Sequence, residues 1–232
     1  EDGFYAYGIS ADLISDVTSA GLIRVASKKD IEKLDYQSLN NTELSTELDV
    51  RYIASGELWK MGNMFMLSIE LYDTKESKVV WSDRWQENWD NLPSIKGNLS
   101  DGIFKALDTK PKLEKNIDTT NTKAYKNYLE GEYKYEKRKN VEDTVIAQEL
   151  LKKAIKIDDD LILAKNLLGR IYYETGHYNK AIEIWTSALK HADKIGDKSG
   201  MGNSLNNIGL VSFYKGNYDI ALDNHIRSLK IK

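Results

Sequence analysis

The stretch that decides the fold of the second half of this chain is Leu163–Leu189, LAKNLLGRIYYETGHYNKAIEIWTSAL. Two short helical patterns flank Gly176, and small and aromatic residues stand at fixed offsets along both of them. The same order of residues returns 40 positions later, in Leu205–Leu229. A recurring unit of two helices predicts a stacked array, because one helix pair cannot bury its apolar face alone.

The period of this unit carries a family resemblance. The small anchors of the second helices are Ala147, Ala181 and Ala221, which lie 34 and then 40 residues apart. A step of 34 residues is the period of the tetratricopeptide repeat. Residues 123–232 resemble that family, with about three repeats of which the last is cut short. The resemblance implies an all-α solenoid in which Gly169 lets the paired helices approach and larger side chains fill the seam, among them Tyr172 and Trp185.

The resemblance also implies where a partner binds. In this family, certain positions on the first helix of each pair face a concave groove. In this sequence those positions hold Tyr128, Glu132, Tyr135, Leu163, Asn166, Arg170, Tyr173, Asn203, Asn206, Leu210 and Phe213. Amide side chains suit an extended peptide because they can bond its backbone. A protein or peptide partner and another part of the same protein both remain open as occupants, since a groove does not name its ligand.

The first half of the chain shows a different pattern. Ile9–Val17 carries an apolar stripe at helical spacing, and Leu22–Ala26 is a short apolar run of the kind that forms a buried strand. Two short helices follow, one capped by Ser27 and one at Thr42–Leu48. We therefore expect an α+β domain at residues 1–108, a mixed sheet covered by helices. Its meander of three strands and its closing helix are predicted at Val50–Trp59, Phe65–Leu71, Val79–Trp85 and Ile95–Leu107.

Landmarks in this half occur in an order that belongs to a known family. They are Gly8-Ile9 with Leu13-Ile14, Leu48–Tyr52 with Gly56, and Glu70–Asp73 with Trp81. Their order and spacing resemble the TolB amino-terminal-like domain, a relative of FlgO-type domains, over about the first 107 residues. That family usually begins with an apolar strand, which has no counterpart before Gly3. Because the chain also opens on Glu1 rather than Met, we expect it to be a piece of a longer protein.

Composition sets further limits. Residues 109–122 are polar, contain one of the two prolines and predict a linker between the two domains. The net charge of −3, from 33 basic and 36 acidic residues, argues against nucleic acid as a partner. The absence of cysteine excludes thiol catalysis, disulfides and thiolate zinc sites. No apolar run reaches the roughly 18 residues that a membrane span needs, so no span is expected in this chain.

Several residues that could suggest chemistry have simpler interpretations. Asp158–Asp160 falls at a turn between repeats. Gly196–Gly202 lacks the upstream glycine and the preceding strand of a phosphate loop, so an Asp or Ser in this second stretch should cap the next helix. Trp81 and Trp85 lie on one side of a strand and are predicted to pack under a covering helix. The alternative is that they form part of an edge-strand surface that binds a partner. We predict no catalytic residue, metal or cofactor, and no metal-ligand spacing among His177, His191 and His225.

These observations predict a non-catalytic protein–protein interaction and regulatory module. The two resemblances together imply a larger bacterial signalling protein, such as an adenylate cyclase. Two alternatives stay open: an α+β domain that senses a small molecule and moves the array, or a cell-envelope assembly protein. A solenoid that ends at Lys232 would expose an apolar face, so self-association there is a further predicted interaction. The pattern names no compartment, with the cytoplasm slightly favoured over the periplasm.

Overall fold

The fold was analysed in a computed structural model that describes residues 3–21, 23–109 and 121–231. The described residues form two compact units. One is an α+β unit that begins at Ile9 and includes the described residues up to Thr109. The other is a helical unit that joins Gly3–Gly8 to residues 121–231. Most of the predicted linker, residues 110–120, lies outside the described residues.

The α+β unit contains a short meander and the helices around it. Its elements are α1 (Gly3–Ser19, whose first residues belong to the helical unit), α2 (Lys28–Glu32), α3 (Asn41–Leu48), β1 (Tyr52–Met61), β2 (Met64–Asp73), β3 (Lys78–Asn88) and α4 (Leu92–Ala106). Within the described residues the sheet has the order β1-β2-β3, and both pairings are antiparallel. The predicted cap at Ser27 also forms, since its side chain accepts a hydrogen bond from the backbone N–H of Asp30. The predicted α+β class is confirmed.

Turn chemistry sets the register of the meander. Met61 pairs with Met64 across a two-residue turn, where Gly62 takes a φ of +62° that glycine adopts without strain. At the other end of β2, Asp73 accepts hydrogen bonds from the Arg51 side chain at 2.6 and 3.0 Å and from the backbone N–H of Lys75 at 2.9 Å. With the register fixed, the predicted inward face of β2 is buried: Phe65, Leu67, Ile69 and Leu71.

Helix α4 packs against the sheet at β3. Ile95, Leu99 and Ile103 recur four residues apart and are all buried, as the helical pattern predicts. The ring of Trp81 packs beside Ile103 and against the backbone of Gly102, so Trp81 lies under a covering helix as predicted. Trp85, of which the same was predicted, is half-buried. Gly102 is needed there because a Cβ atom would fall 2.2 Å from the Trp81 ring.

One predicted element is wrong. Leu22–Ala26 was expected to form a buried strand, but residues 23–26 form none, and Leu22 lies outside the described residues. The segment is held by a side chain instead, because the Arg24 guanidinium donates to the carbonyls of Leu48 (3.0 Å) and Asp49 (2.5 Å) at the end of α3. A short apolar run does not distinguish a strand from irregular chain that packs on a core, which is what Val25 does. The described sheet is therefore antiparallel rather than mixed.

The helical unit contains three successive helix pairs within residues 121–231. They are α5 (Thr122–Glu136) with α6 (Val141–Ile157), α7 (Ile162–Glu174) with α8 (Tyr178–Ile195), and α9 (Lys198–Tyr214) with α10 (Tyr218–Ile231). Gly176 and Gly216 end the first helices of the last two pairs, each with a φ of +78°. The Asp197 side chain caps α9 by accepting from the backbone N–H of Gly200 at 2.9 Å, which confirms the helix-cap interpretation of that glycine-rich stretch.

Close packing inside each pair follows the predicted pattern. A Cβ atom on Gly169 would lie 2.4 Å from Nε1 of Trp185, so the glycine lets the indole of α8 lie flat against α7. Trp185 is almost fully buried and donates to the Asn166 carbonyl at 3.2 Å. In the next pair, Gly209 faces the ring of His225 in the same way. Among the described helices, none combines the length and apolar character that crossing a membrane requires.

Candidate functional site

The first helices of the pairs carry the predicted groove positions. Helix α7 packs against both α5 and α9, so their side chains form one surface along the array. On α7, Leu163, Asn166 and Tyr173 are half-buried and Arg170 is exposed. On α9, Asn203, Asn206 and Phe213 are exposed and Leu210 is half-buried. These positions are accessible to a partner.

The two predicted tyrosines of α5 are in a different state. Tyr128 is 3% exposed and Tyr135 is 2% exposed. The Tyr128 hydroxyl donates to Glu132 at 3.2 Å, within the same helix. The Tyr135 hydroxyl donates to Glu174 of α7 at 2.5 Å, and burial together with this carboxylate raises the pKa of Tyr135. Both tyrosines therefore support the surface from beneath and present almost no area of their own.

A charged network surrounds the Tyr135 ring. Arg138 stacks on the ring at 4.0 Å and Arg170 lies 5.5 Å from the ring centre. Arg170 donates to Glu136 and lies 3.8 Å from Glu174, which also pairs with Arg138 at 3.6 Å. Partial burial of the Arg170 guanidinium opposes its charge, but the two carboxylates outweigh that effect and raise its pKa. The network joins α5 to α7 and holds the Arg170 side chain in place.

The two central asparagines are oriented by neighbours. The Asn166 side-chain oxygen lies 3.5 Å from the Ser204 hydroxyl, which donates to it. The Asn206 side-chain oxygen lies 3.2 Å from Nδ1 of His225. With each oxygen engaged inside the chain, the amide N–H groups are the donors that both side chains can offer to a peptide carbonyl.

A strip of aromatic rings continues the surface toward the turns of the last two pairs. Tyr173 lies 5.9 Å from both Tyr178 and Tyr214, and Phe213 lies 5.9 Å from Tyr214 and 5.5 Å from Tyr218. Burial and a hydrogen bond with Tyr214 raise the pKa of Tyr173. Phe213, Tyr214 and Tyr218 are all more than half exposed. Exposed aromatic clusters of this size mark interaction surfaces more often than isolated apolar residues do.

Sequence reasoning selected Tyr173 and Phe213 but missed the other members of this strip. Tyr178 and Tyr218 stand at the same place in their repeats, 40 residues apart, which is the signal that could have found them. Tyr214 directly follows a predicted position, but nothing in the sequence indicated that its ring would reach Tyr173 in the preceding repeat.

A buried lysine is a second feature that the sequence did not reveal. Lys165 is 1% exposed, and its ammonium lies 2.9 Å from an Asp159 oxygen, 3.1 Å from the Ser187 hydroxyl and 2.7 Å from Nδ1 of His191. These partners satisfy its three N–H donors, so the cluster ties the turn before α7 to α8. Within the described residues, no three or more His, Asp and Glu side chains are grouped as a metal ion would need.

Comparison with known families agrees with this arrangement of helices. A tetratricopeptide repeat family model matches residues 160–232. The match begins at the turn before α7 and includes the last two helix pairs, and with them Asn166, Asn206 and the aromatic strip. Tetratricopeptide repeats are non-catalytic and typically bind proteins, so the match suggests protein–protein interaction for residues 160–232.

A curated relative extends the comparison. Over 110 residues the chain is 22% identical to a protein named "Putative adenylate cyclase 3" from Rhizobium meliloti (strain 1021). The aligned part is 47% of this chain and 19% of that protein. The chain thus spans about a fifth of the length of the curated relative that it matches.

Proposed function

We propose that this chain is a non-catalytic interaction module whose first-helix surface binds an extended segment of a partner protein. The observation that carries the proposal is the row of Asn166, Arg170, Tyr173 and Asn206 along α7 and α9, which ends in the aromatic strip. Amide donors suit the carbonyls of an extended backbone, and exposed rings suit its apolar side chains. Because Arg170 and both amides are already held by neighbours, binding would order few side chains and lose little conformational entropy.

The proposal includes a place for the chain within a larger protein. The named relative motivates a signalling protein such as an adenylate cyclase, in which this region would regulate or recruit. The α+β unit would be a TolB amino-terminal-like domain at about residues 1–108, joined by a linker at 109–122 to a repeat domain at 123–232. In this proposal the first pair, α5 with α6, is a divergent repeat that begins the array. The purified chain should then show no turnover of ATP, and cyclase activity in it would contradict the proposal.

Peptide selection tests the groove directly. The chain would be screened against a displayed library of linear peptides, and the peptides selected would be titrated by fluorescence anisotropy. Replacing Asn166, Arg170 and Tyr173 together by alanine should weaken binding at least tenfold, since each removes a donor or a ring. Alanine at Lys153, Glu183 and Lys190, which are exposed on second helices, is the matched control and should leave binding unchanged. Equal affinity of the two triple variants would place the binding site elsewhere.

A second candidate has one observation in its favour. The α+β unit has an open cleft of about 430 Å³, lined by charged side chains that include Arg24, Asp30, Lys33 and Glu47. Such a cleft could hold a small polar molecule, as the sensor alternative requires. Three of its charged groups already have partners within the chain, because Asp30 accepts hydrogen bonds from Ser27 and Lys33, and Arg24 donates to two backbone carbonyls. A thermal-shift screen with metabolites and nucleotides would test it, with Arg24→Ala as the variant that should lose any stabilisation.

A further inference from the structure

Three rings of the aromatic strip meet inside the array, where α7, α8 and α9 pack together. Tyr173 of α7 lies 5.9 Å from Tyr178 of α8 and 5.9 Å from Tyr214 of α9, with ring planes inclined by 39° and 45°. Tyr173 also lies 6.4 Å from the buried Trp185 ring. The three tyrosines, here called the tyrosine row, are therefore held by their neighbours, so a ligand would bind rings that are already ordered.

The charge cluster beside Tyr173 has no net charge. Arg170 precedes Tyr173 by about one helical turn and pairs with Glu136 and Glu174. Arg138 pairs with Glu174 as well. Two guanidinium groups thus face two carboxylates, and this cluster attracts neither an acidic nor a basic segment. An uncharged segment binds beside it without leaving a charge unpaired.

The two central asparagines offer hydrogen-bond donors to a ligand. The side-chain oxygen of Asn166 accepts from Ser204 at 3.5 Å, and that of Asn206 lies 3.2 Å from Nδ1 of His225. With these oxygens engaged, both amides can donate to the carbonyls of a ligand but accept little from its N–H groups. A strand-like segment would bring N–H groups that need acceptors, whereas proline has a carbonyl and no N–H. Donors of this kind therefore suit a backbone rich in proline.

Distances along this surface fit the polyproline II helix. That helix rises about 3.1 Å per residue, so a turn of three residues is about 9 Å long, and its carbonyls make no internal hydrogen bonds. Two steps of 5.9 Å separate the outer rings of the tyrosine row, so two prolines one turn apart would lie near its two ends. Asn166 precedes Tyr173 by about 10 Å along α7, which corresponds to three or four further residues of the ligand.

From these observations we infer that the partner segment is uncharged and rich in proline, and that it binds in the polyproline II conformation. Its prolines lie on the tyrosine row, and the carbonyls at its other end accept from Asn166 and Asn206. Because the free segment already populates this conformation, it loses little conformational entropy on binding. The inference rests on the proposed function and names the class of segment that the same surface takes.

Titration of the whole chain with three labelled decapeptides, followed by fluorescence anisotropy, tests the inference. The first probe contains only proline, the second alternates glycine with serine, and the third alternates proline with aspartate. The proline decapeptide should bind at least tenfold more tightly than the other two. The glycine–serine probe lacks the preformed conformation, and the aspartate probe carries charges for which the surface has no partners.

Two variants identify the contacts. Tyr214→Ala should weaken binding of the proline decapeptide at least tenfold, because it removes one ring of the row. Tyr36→Ala is the matched control, since Tyr36 is 48% exposed in the α+β unit and its loss should have no effect. Asn166→Asp keeps the shape of the side chain but replaces N–H donors by an acceptor, so it should also weaken binding at least tenfold. Circular dichroism checks that each variant keeps its helical content.

The outcomes separate this inference from the proposed function. The inference is overturned if the proline decapeptide binds no more tightly than the glycine–serine probe, or if Tyr214→Ala or Asn166→Asp leaves its affinity unchanged. It is also overturned, by itself, if the displayed library yields charged peptides without proline whose binding is lost when Asn166, Arg170 and Tyr173 are replaced together. If the library yields no peptide and the proline decapeptide does not bind either, the proposed function fails as well.

Discussion

Replacing Gly102 by alanine should destabilise the α+β unit, whereas the same replacement at Gly97 in the same helix should stabilise it. Both glycines lie inside α4, where glycine is unfavourable by about 1 kcal/mol relative to alanine. No heavy atom lies within 4 Å of a Cβ built at Gly97. At Gly102 the new Cβ would lie 2.2 Å from Cζ2 of Trp81 and 2.7 Å from Cε2 and Cη2.

The two variants should differ by about 1–3 kcal/mol in free energy of unfolding. Carbon atoms make favourable contact at about 3.5–4.0 Å, so the Trp81 ring would have to retreat by roughly 1 Å or more. Overpacking of this kind costs about 1–3 kcal/mol, and the helix-propensity gain of about 1 kcal/mol offsets part of it. Gly97→Ala receives the propensity gain alone. The contrast arises from packing, because both variants make the same substitution in the same helix.

Native-state hydrogen exchange followed by mass spectrometry provides the measurement, since it reports α4 and β3 separately from the helical unit. A double-mutant cycle adds a stricter test. Trp81→Phe removes the ring atoms closest to Gly102, so in that background Gly102→Ala should be neutral or stabilising. The reasoning is refuted if Gly97→Ala and Gly102→Ala shift exchange in the same direction by similar amounts, or if Trp81→Phe leaves the effect of Gly102→Ala unchanged.

Two further predictions concern the helical packing and the hairpin. Gly169→Ala should lower the stability of the α7–α8 pair by about 1–3 kcal/mol, because the new Cβ would meet the buried Trp185 ring. Gly209→Ala should cost less, because its nearest His225 atoms are 3.0 Å away. Urea unfolding followed by tryptophan fluorescence would measure both costs, and an equal or larger cost for Gly209→Ala would contradict the packing argument. The hydrogen bonds from Arg51 hold the pKa of Asp73 at about 2, below its ordinary 3.8. The stability that this carboxylate provides should therefore be complete above about pH 4 and be lost as the pH falls toward 2. Asp73→Asn should flatten that part of the pH dependence of the urea midpoint, and an unchanged slope would contradict the assignment.

Local patterns in the sequence predicted most of the elements. Period-two alternation located all three strands, and the polar turns between them determined the register. Helical spacing with glycine and small residues at fixed offsets located α7–α10, because only small residues allow the helices of a pair to approach closely. Leu22–Ala26 failed as a strand, because a short apolar run records burial and not the hydrogen-bond partners of its backbone.

For the candidate site, the sequence by itself determined which positions lie on first helices, because residues at the same position of each repeat occupy the same place in each helix pair. It did not determine which of them remain accessible. Tertiary packing buried Tyr128 and Tyr135 and brought Arg170 to Glu136 across two helices, a contact over 34 residues of chain. Tertiary packing also carried Tyr214 to Tyr173 and covered α5 with Gly3–Gly8. The physical reason is that periodicity identifies an apolar face, whereas the neighbour that covers that face comes from a distant part of the chain.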